Sequence, residues 1–578
     1  MTFERRVRLN DWTAALILLA VGLLPRIVLL GADPPADVSP SFIFDEGWWA
    51  HNARNRILFG QWVLDEHNPS LLVTPLYTVL LAGVYAIAGV DLVSTRLLSA
   101  LAGFLACVTL YAGFRRDRAP REALIPALIL ATSYAALSQS RLGLTETLQL
   151  LWLTLVFVGV LRSDRALWSG VAGGALVLAM LVKPSALMVA PVLGAYWLWH
   201  RARADATEAR PRALPFLVVA VTGAALLAFL LVEPNWSMVS QQLARSRLAV
   251  TTSVVGPRQA WSHVGFGDFG LTFNRFFAHS AALFTAIALL AATRLLRRAA
   301  LSRAELLSWL WLVIGLATIS LQRYQPDRRL LFLMPAVAIL AAEAFRRGAL
   351  RLAVDEGLRP TSPRVLLAGL ALGGWLAFLA YAGAAEALGD RLERHLPLLA
   401  GRTGANLTLL AGILVAWLGF GWLARAGRAR WPRGVTVPSL VLVAAFVALE
   451  PARFTLTLAR PTFTIRDAAR DLGRLSSGWG PEDRIIVGGQ AATFALESSL
   501  RPIRIISDGG PTENRHAWER LHPAAAVSFG RPDQDALERG FVRCRSYDVW
   551  PDWRGRPTWR GVQLLVRPDL CPPRVAGR

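Results

Sequence analysis

The sequence predicts an all-α polytopic membrane protein with a small C-terminal α/β domain, and three observations predict it. First, 54% of the 578 residues are hydrophobic and only 18% are charged, with a mean hydropathy of +0.41. A soluble chain carries about a quarter charged residues. Second, apolar runs of roughly membrane-spanning length recur from residue 12 to residue 458. Third, the pattern changes after about residue 460 to short strand-like and helical segments. This composition excludes a disordered chain, a coiled coil and a disulfide scaffold. The net charge is +22, but basic residues of membrane proteins collect in cytoplasmic loops, so no nucleic-acid partner follows. Three Cys in so long a chain exclude a cysteine metal cluster.

About thirteen transmembrane helices are expected, near 12–31, 93–114, 122–139, 144–161, 166–182, 185–199, 213–233, 276–293, 304–321, 329–345, 365–386, 405–424 and 436–458. The stretch Leu71–Val90 is also apolar, and arginine placement argues against its crossing. If it stays on the outer side, the cytoplasmic segments 1–11, 115–122, 162–165, 200–212, 294–303, 346–364 and 425–435 hold 26 Arg in 76 residues. The first outer loop, 32–92, then holds seven acids and two Arg. If it crossed, Arg115, Arg116, Arg118 and Arg121 would face outward, against the positive-inside rule. The expected orientation has a cytoplasmic N-terminus and an outer C-terminus. The first span reads as a signal anchor.

Two domains are expected: a transmembrane domain over 1–459 and an outer α/β domain over 460–578. In the latter, Asp483–Gly488, Arg501–Ser507, Ala524–Phe529 and Gly561–Arg567 read as strands, and Ala491–Leu500 reads as a helix. Cys544 and Cys571 are candidates for a disulfide in an oxidising compartment, with two free thiols as the alternative. Cys107 lies within a span and reads as a packing residue.

Four outer features carry chemistry. The loop 44–54 opens with Asp45-Glu46, followed by Trp48, Trp49, His51 and Arg54. Its two tryptophans suit a helix lying at the membrane interface. The plain reading of Asp45 is an N-cap, and of Glu46 a first-turn acid favoured by the helix dipole. Glu146 begins a span and needs a partner there, with Arg141 in the preceding turn as one candidate. Lys183 is the only Lys among 62 Lys and Arg residues. It stands at an outer turn before Pro184, where a snorkelling anchor is the bland alternative. The segment 322–329 brings Arg323, Arg328 and Arg329 to the outer side with Tyr324. Arginines suit a phosphate there, or ordinary anionic phospholipid. A carboxylate can take a proton from an alcohol, while Arg and Lys stabilise a departing phosphate. Glycosyl transfer from a polyprenyl-phosphate sugar needs both.

In this order, these residues resemble the polyprenyl-phosphate-dependent GT-C glycosyltransferases, among them the bacterial aminoarabinose-to-lipid A transferases and the protein O-mannosyltransferases. The matching motifs are Asp45-Glu46, Trp49-Ala50 and Arg54; Pro75, Tyr77 and Leu80–Gly89; Arg141 with Glu146; Lys183-Pro184; and Pro326–Arg329 with Pro335. The pattern departs at Thr74, where the aminoarabinose transferases have Lys, at Glu146, where Asp is common, and at Gly47-Trp48. The resemblance implies a GT-C bundle in a bacterial inner membrane that transfers a sugar with inversion. Asp45 would be the general base, with Glu46 and Glu146 positioning the acceptor or assisting. Lys183, Arg328, Arg329 and Arg54 would hold the donor phosphate. His51, Tyr77, Arg141 and Tyr324 are candidates for acceptor or sugar contacts. The implied partners are an undecaprenyl-phosphate-linked sugar, membrane lipid and an acceptor glycolipid, glycan or protein, with no metal or other cofactor expected. Two other classes compete. A lipid or oligosaccharide transporter would need polar residues at mid-depth and pseudo-symmetric halves. A non-catalytic scaffold leaves the outer charges unexplained.

Overall fold

A computed structural model describes residues 10–35, 40–64, 70–203, 211–236, 240, 276–277, 279–320, 327–354, 358–388, 401–426, 435–503, 518–529, 533–551 and 557–572. Among these, four helices are long and apolar enough to cross a membrane: Leu92–Arg115, Ala213–Val232, Pro363–Ala380 and Ser439–Leu458. Pro120–Thr132 and Tyr134–Ser140, bent by 61°, form a fifth candidate. Shorter apolar helices, including Thr145–Leu161, Ala166–Val182 and Ala281–Leu296, pack with them. The helices fall on the expected apolar runs.

The N-terminal half builds the relevant frame. Helix α1 (Asp11–Ile17) runs through a π-helical stretch, Leu18–Leu23, into α2 (Leu24–Ile27). Helix α3 (Pro40–Phe59) follows. A short α4 (Ser70–Val73) leads into α5 (Pro75–Ala88). At 1.5 Å per residue, the 14 residues of α5 reach only about 21 Å, against a hydrocarbon core of about 30 Å. It packs on α3 and on α6 (Leu92–Arg115). Helices α7 (Pro120–Thr132) and α8 (Tyr134–Ser140) meet at the bend. The N-terminus of α8 leaves unpaired backbone donors; Glu450, fully buried in the last span, accepts the Tyr134 N–H at 3.1 Å. Helices α9 (Thr145–Leu161) and α10 (Ala166–Val182) complete the frame.

Buried arginines tie these helices through backbone carbonyls. Arg26 donates to Gly22 O at 2.6 Å and Ala131 O at 3.0 Å. Arg141 donates to the carbonyls of Pro25, Val28 and Leu29 at 2.6–2.7 Å, satisfying the open end of α2. Both are buried, where unmet donors are costly, and Arg26 keeps one, its Nε having no hydrogen-bond partner among the described residues.

A small antiparallel pair, β1 (Ala349–Leu352) with β2 (Val435–Pro438), joins two distant loops. The C-terminal region folds around a five-stranded sheet of β3 (Ile485–Val487), β4 (Arg501–Ile503), β5 (Ala525–Phe529), β6 (Val542–Pro551) and β7 (Pro557–Val566), in the order β4-β3-β5-β7-β6. Strand β3 is parallel to β4 and β5, whereas β7 is antiparallel to β5 and β6. The sequence reading missed β6. It also made the helix from residue 491 too long, because the observed helix is Ala491–Phe494 and turns follow. Residues 504–507 lie outside the described residues. The helix Thr464–Ser476 buries Ile465, Ala468, Ala469 and Leu472, a one-sided stripe at helical spacing. Its N-terminus is capped from the far end of the chain: Asp33 accepts from the N–H groups of Thr464 and Ile465 at 2.9 and 3.1 Å. Cys544 and Cys571 are joined in a disulfide, and Cys107 is a buried free thiol.

Candidate active site

Helix α3 carries the Asp-Glu pair in its interior. It starts at Pro40, a residue suited to a first helical position, so Asp45 is not an N-cap and Glu46 is not a first-turn acid. One flank of α3 packs against residues 489–500 of the C-terminal region. Gly47 sits flush on Ala492 and Thr493: a Cβ there would lie 2.3 Å from Thr493 N. Trp48 Nε1 donates to Gly489 O at 2.7 Å. Arg54 donates to the carbonyls of Leu496, Ala495 and Leu500 at 3.0, 3.0 and 2.8 Å, and to that of Ser498. Arg54 therefore clamps the turn after Phe494 and does not join the other expected phosphate ligands. Burial pushes its guanidinium down to about 10. His51 lies on the same flank, 2% exposed and 5.8 Å from the Trp48 ring. Burial pushes its imidazole down to about 3, with Arg54 and Arg501 adding repulsion, so it is neutral.

Glu46 turns into the helix bundle and is fully buried. It takes two hydrogen bonds from Arg96, at 2.8 and 2.9 Å, and one from the Gly143 N–H at 2.7 Å. Arg96 spends its remaining reach on the carbonyls of Leu30 and Ala32, at 3.0 and 2.6 Å. This is a bidentate, fully hydrogen-bonded pair. It fixes α3 to α6, to the turn before α9 and to the segment after α2. Arg96 was missed by sequence reading. The signal was a charged residue five positions into an apolar helix, which needs a partner.

The remaining acids and cations converge. Asp45 pairs with Arg328. Arg328 Nε also lies 3.2 Å from Glu146 Oε1, and Lys183 Nζ donates to the same oxygen at 2.5 Å. Thr145 Oγ1 donates to the other carboxylate oxygen at 3.0 Å. The order along the network is Asp45, Arg328, Glu146, Lys183, with alternating sign. Lys183 Nζ stands 5.1 Å from the Trp49 ring centroid, within cation–π range. Trp49 Nε1 is buried without a hydrogen-bond partner among the described residues. Burial pushes the Lys183 ammonium down; Glu146 opposes this and Arg328 and Arg329 add to it, and Arg329 follows Arg328 in the turn Asp327–Leu333. The elements that place these groups are stiff. Gln149 Nε2 donates to Lys183 O at 2.9 Å. Trp311 Nε1 donates to Phe332 O at 2.8 Å, holding the 3-10 turn Asp327–Leu333 that presents Arg328 and Arg329.

Arg141, one candidate partner of Glu146, instead closes the carbonyl end of α2. Its guanidinium is pushed down to about 10, chiefly by burial. Tyr77 is fully buried near Ser99, Glu46 and Glu146, and burial raises its phenol well above the usual range. Tyr324 lies outside the described residues. Among the described residues no group of three or more His, Cys, Asp or Glu side chains is arranged to hold a metal ion. Of the three acids, Asp45 keeps the most open side chain, at 16% exposure against 0% for Glu46 and 3% for Glu146.

The profile of the dolichyl-phosphate-mannose-protein mannosyltransferase family matches residues 72–236. That segment holds Tyr77, Arg141, Glu146 and Lys183. Among solved structures, the chain is similar to ArnT of Cupriavidus metallidurans bound to undecaprenyl phosphate, with 17% identity, a TM-score of 0.53, and 98% of this chain and 100% of that chain covered. The apo form of the same protein gives 18% identity and a TM-score of 0.50, with 97% and 99% covered. The archaeal oligosaccharyltransferase AglB of Archaeoglobus fulgidus, in complex with an inhibitory peptide and a dolichol-phosphate, gives 15% identity and a TM-score of 0.43, with 89% and 68% covered. No protein of curated function matches the sequence. The resemblance read from the sequence is borne out: the chain is a multi-pass membrane protein with the ArnT-like GT-C fold.

Proposed function

We propose that this chain is a membrane glycosyltransferase that moves one sugar from a polyprenyl-phosphate donor to an acceptor hydroxyl. The single observation that carries the reading is the cluster Asp45–Arg328–Glu146–Lys183 with Arg329 beside it. Three cations against two carboxylates leave a net charge of +1. A sugar phosphodiester carries one negative charge, so the ground state is matched. In the reaction the acceptor oxygen bonds to the anomeric carbon, and the bond from that carbon to the phosphate oxygen breaks with inversion. The phosphate departs with the electron pair and a second negative charge. The acceptor proton passes to Asp45, which raises the cluster to +2 as the leaving group reaches −2. Charge that develops in step on both partners is stabilised more in the transition state than in the ground state.

Asp45 is the base because it is the acid with an open side chain, held by Arg328. Glu146 positions Lys183 and Arg328 for the phosphate. Glu46, saturated by Arg96 and Gly143, is a positioning residue. Arg54, His51 and Arg141 support the architecture. The three acids are already matched by cations, and the proposed reaction runs without a metal. The undecaprenyl phosphate bound by the similar ArnT fits a donor of this class. The proposal includes thirteen crossings, a cytoplasmic N-terminus, an outer domain over 460–578 and residence in a bacterial inner membrane.

The test is transfer from a radiolabelled polyprenyl-phosphate sugar by the purified protein. Asp45→Asn leaves Arg328 paired with Glu146, so the variant should still fold, at some cost in melting temperature, and lose a factor on the order of 10² or more in turnover, the scale of a lost general base. Wild-type turnover in a folded Asp45→Asn protein would refute the assignment.

A further inference from the structure

The two ends of the bundle differ in kind. Helix α9 begins at Thr145, next to Glu146, and ends at Leu161; α10 begins at Ala166 and ends at Val182, next to Lys183. Each has 17 residues, about 26 Å of helix. At the end away from the acid and cation cluster, the turn after α6, the turn between α9 and α10, and the segment 302–304 enclose a cavity of about 370 Å³. It is large enough for a small ligand or a lipid head group.

Five arginines line it: Arg116, Arg118, Arg162, Arg165 and Arg303. Two acids, Asp117 and Asp164, stand against them, leaving a net +3. The walls are fixed. Arg162 donates to Gly113 O, lies 3.7 Å from Asp117 and stacks 5.1 Å over the Trp168 ring. Arg118 lies 5.0 Å over the Phe114 ring. The rim cations Arg116 and Arg165 are exposed and carry donors for a ligand. Burial lowers the Arg162 pKa; Asp117 and Asp164 oppose this, and repulsion from Arg116 and Arg165 adds to it. An anion in the cavity relieves that repulsion. Inner-side arginines follow from membrane topology alone, but topology does not require them to line one rigid, aromatic-walled hollow.

We propose that this hollow is a second phosphate site, distinct from the donor cluster, which takes a phosphate-bearing anion. The shared chemistry is a phosphate held by arginine forks. Its source is either an anionic phospholipid head group or a soluble phosphate ester or diphosphate.

The experiment compares the full chain with R116Q/R165Q and with R116K/R165K. Native mass spectrometry from neutral detergent counts retained phosphatidylglycerol, with phosphatidylcholine as control, and calorimetry measures inorganic pyrophosphate binding. The wild type is expected to bind at least one of the two anions about tenfold or more tighter than R116Q/R165Q, with R116K/R165K between them and melting temperatures alike. Loss confined to phosphatidylglycerol assigns a lipid head group, and loss confined to pyrophosphate assigns a soluble ligand. Equal binding of both anions by the wild type and a folded R116Q/R165Q overturns the proposal.

Discussion

Gly47→Ala tests whether the C-terminal domain sets the position of Asp45. The added Cβ would stand 2.3 Å from Thr493 N, 2.4 Å from Ala492 C and 2.6 Å from Thr493 Cα, where ordinary contact begins at 3.4 Å. Backbone stands on both sides, so no side chain can swing away. Helix and domain must part by about 1 Å. The Trp48 bond to Gly489 O and the Arg54 bonds to four carbonyls resist that parting. Overpacking of this kind costs about 1–3 kcal/mol. Asp45 is two residues away on the same helix. A displacement of about 1 Å at reacting groups costs on the order of 10²-fold in rate. The assay is kcat, KM and melting temperature for Gly47→Ala beside Gly83→Ala. Gly83 lies on the exposed side of α5 with nothing within 4 Å. The first variant should lose kcat by roughly 10 to 10² with little change in KM. The second should keep its activity and gain up to about 1 kcal/mol, because Ala replaces Gly within a helix. Wild-type kcat and melting temperature in Gly47→Ala would refute the reasoning.

Three further outcomes are expected. Lys183→Met should weaken donor binding, while Lys183→Arg retains part of it, as read by titration with a polyprenyl phosphate; unchanged affinity in the Met variant would reduce Lys183 to an anchor. Glu46→Gln removes the charge facing the buried Arg96 and should cost about 3–5 kcal/mol, seen as poor expression and a lower melting temperature; a fully stable but inactive variant would return Glu46 to the chemistry. His51 is neutral in the folded chain, with its imidazole near 3, whereas an unfolded His titrates near 6.5. Its contribution is complete above about pH 6.5 and falls by about 1.4 kcal/mol per unit as the pH drops toward 3, about 2 kcal/mol by pH 5. His51→Gln should flatten that acid slope in thermal melts, and an unchanged slope would assign the loss to other groups.

The helices were legible because burial in lipid demands long apolar runs, and that signal is one-dimensional. The convergence of Asp45, Glu146, Lys183 and Arg328 was legible because outer-side acids and cations need partners. What each arginine does was not. Arg54 and Arg141 looked like ligand-binding cations, yet both spend their donors on backbone carbonyls. Local sequence gives no hint that carbonyls some 440 residues away end beside Arg54. The start of α3 was misread for a related reason. Asp-Glu is a familiar helix opening, but Pro40 begins the helix five residues earlier. Within the sheet, β6 was hidden because its exposed residues Arg543, Arg545 and Ser546 break any apolar run.

The grip of the C-terminal domain on α3 also sets an order of assembly. Gly489, which receives the Trp48 indole, is made 441 residues after it, and Asp33 waits 431 residues for the helix at Thr464. A chain is synthesised from its N-terminus. The membrane bundle is therefore made with its acidic helix still unclasped, and the clasp comes only with the last segment synthesised. A chain stopped at residue 460 would contain every charged member of the cluster but none of the carbonyls that Trp48 and Arg54 hold.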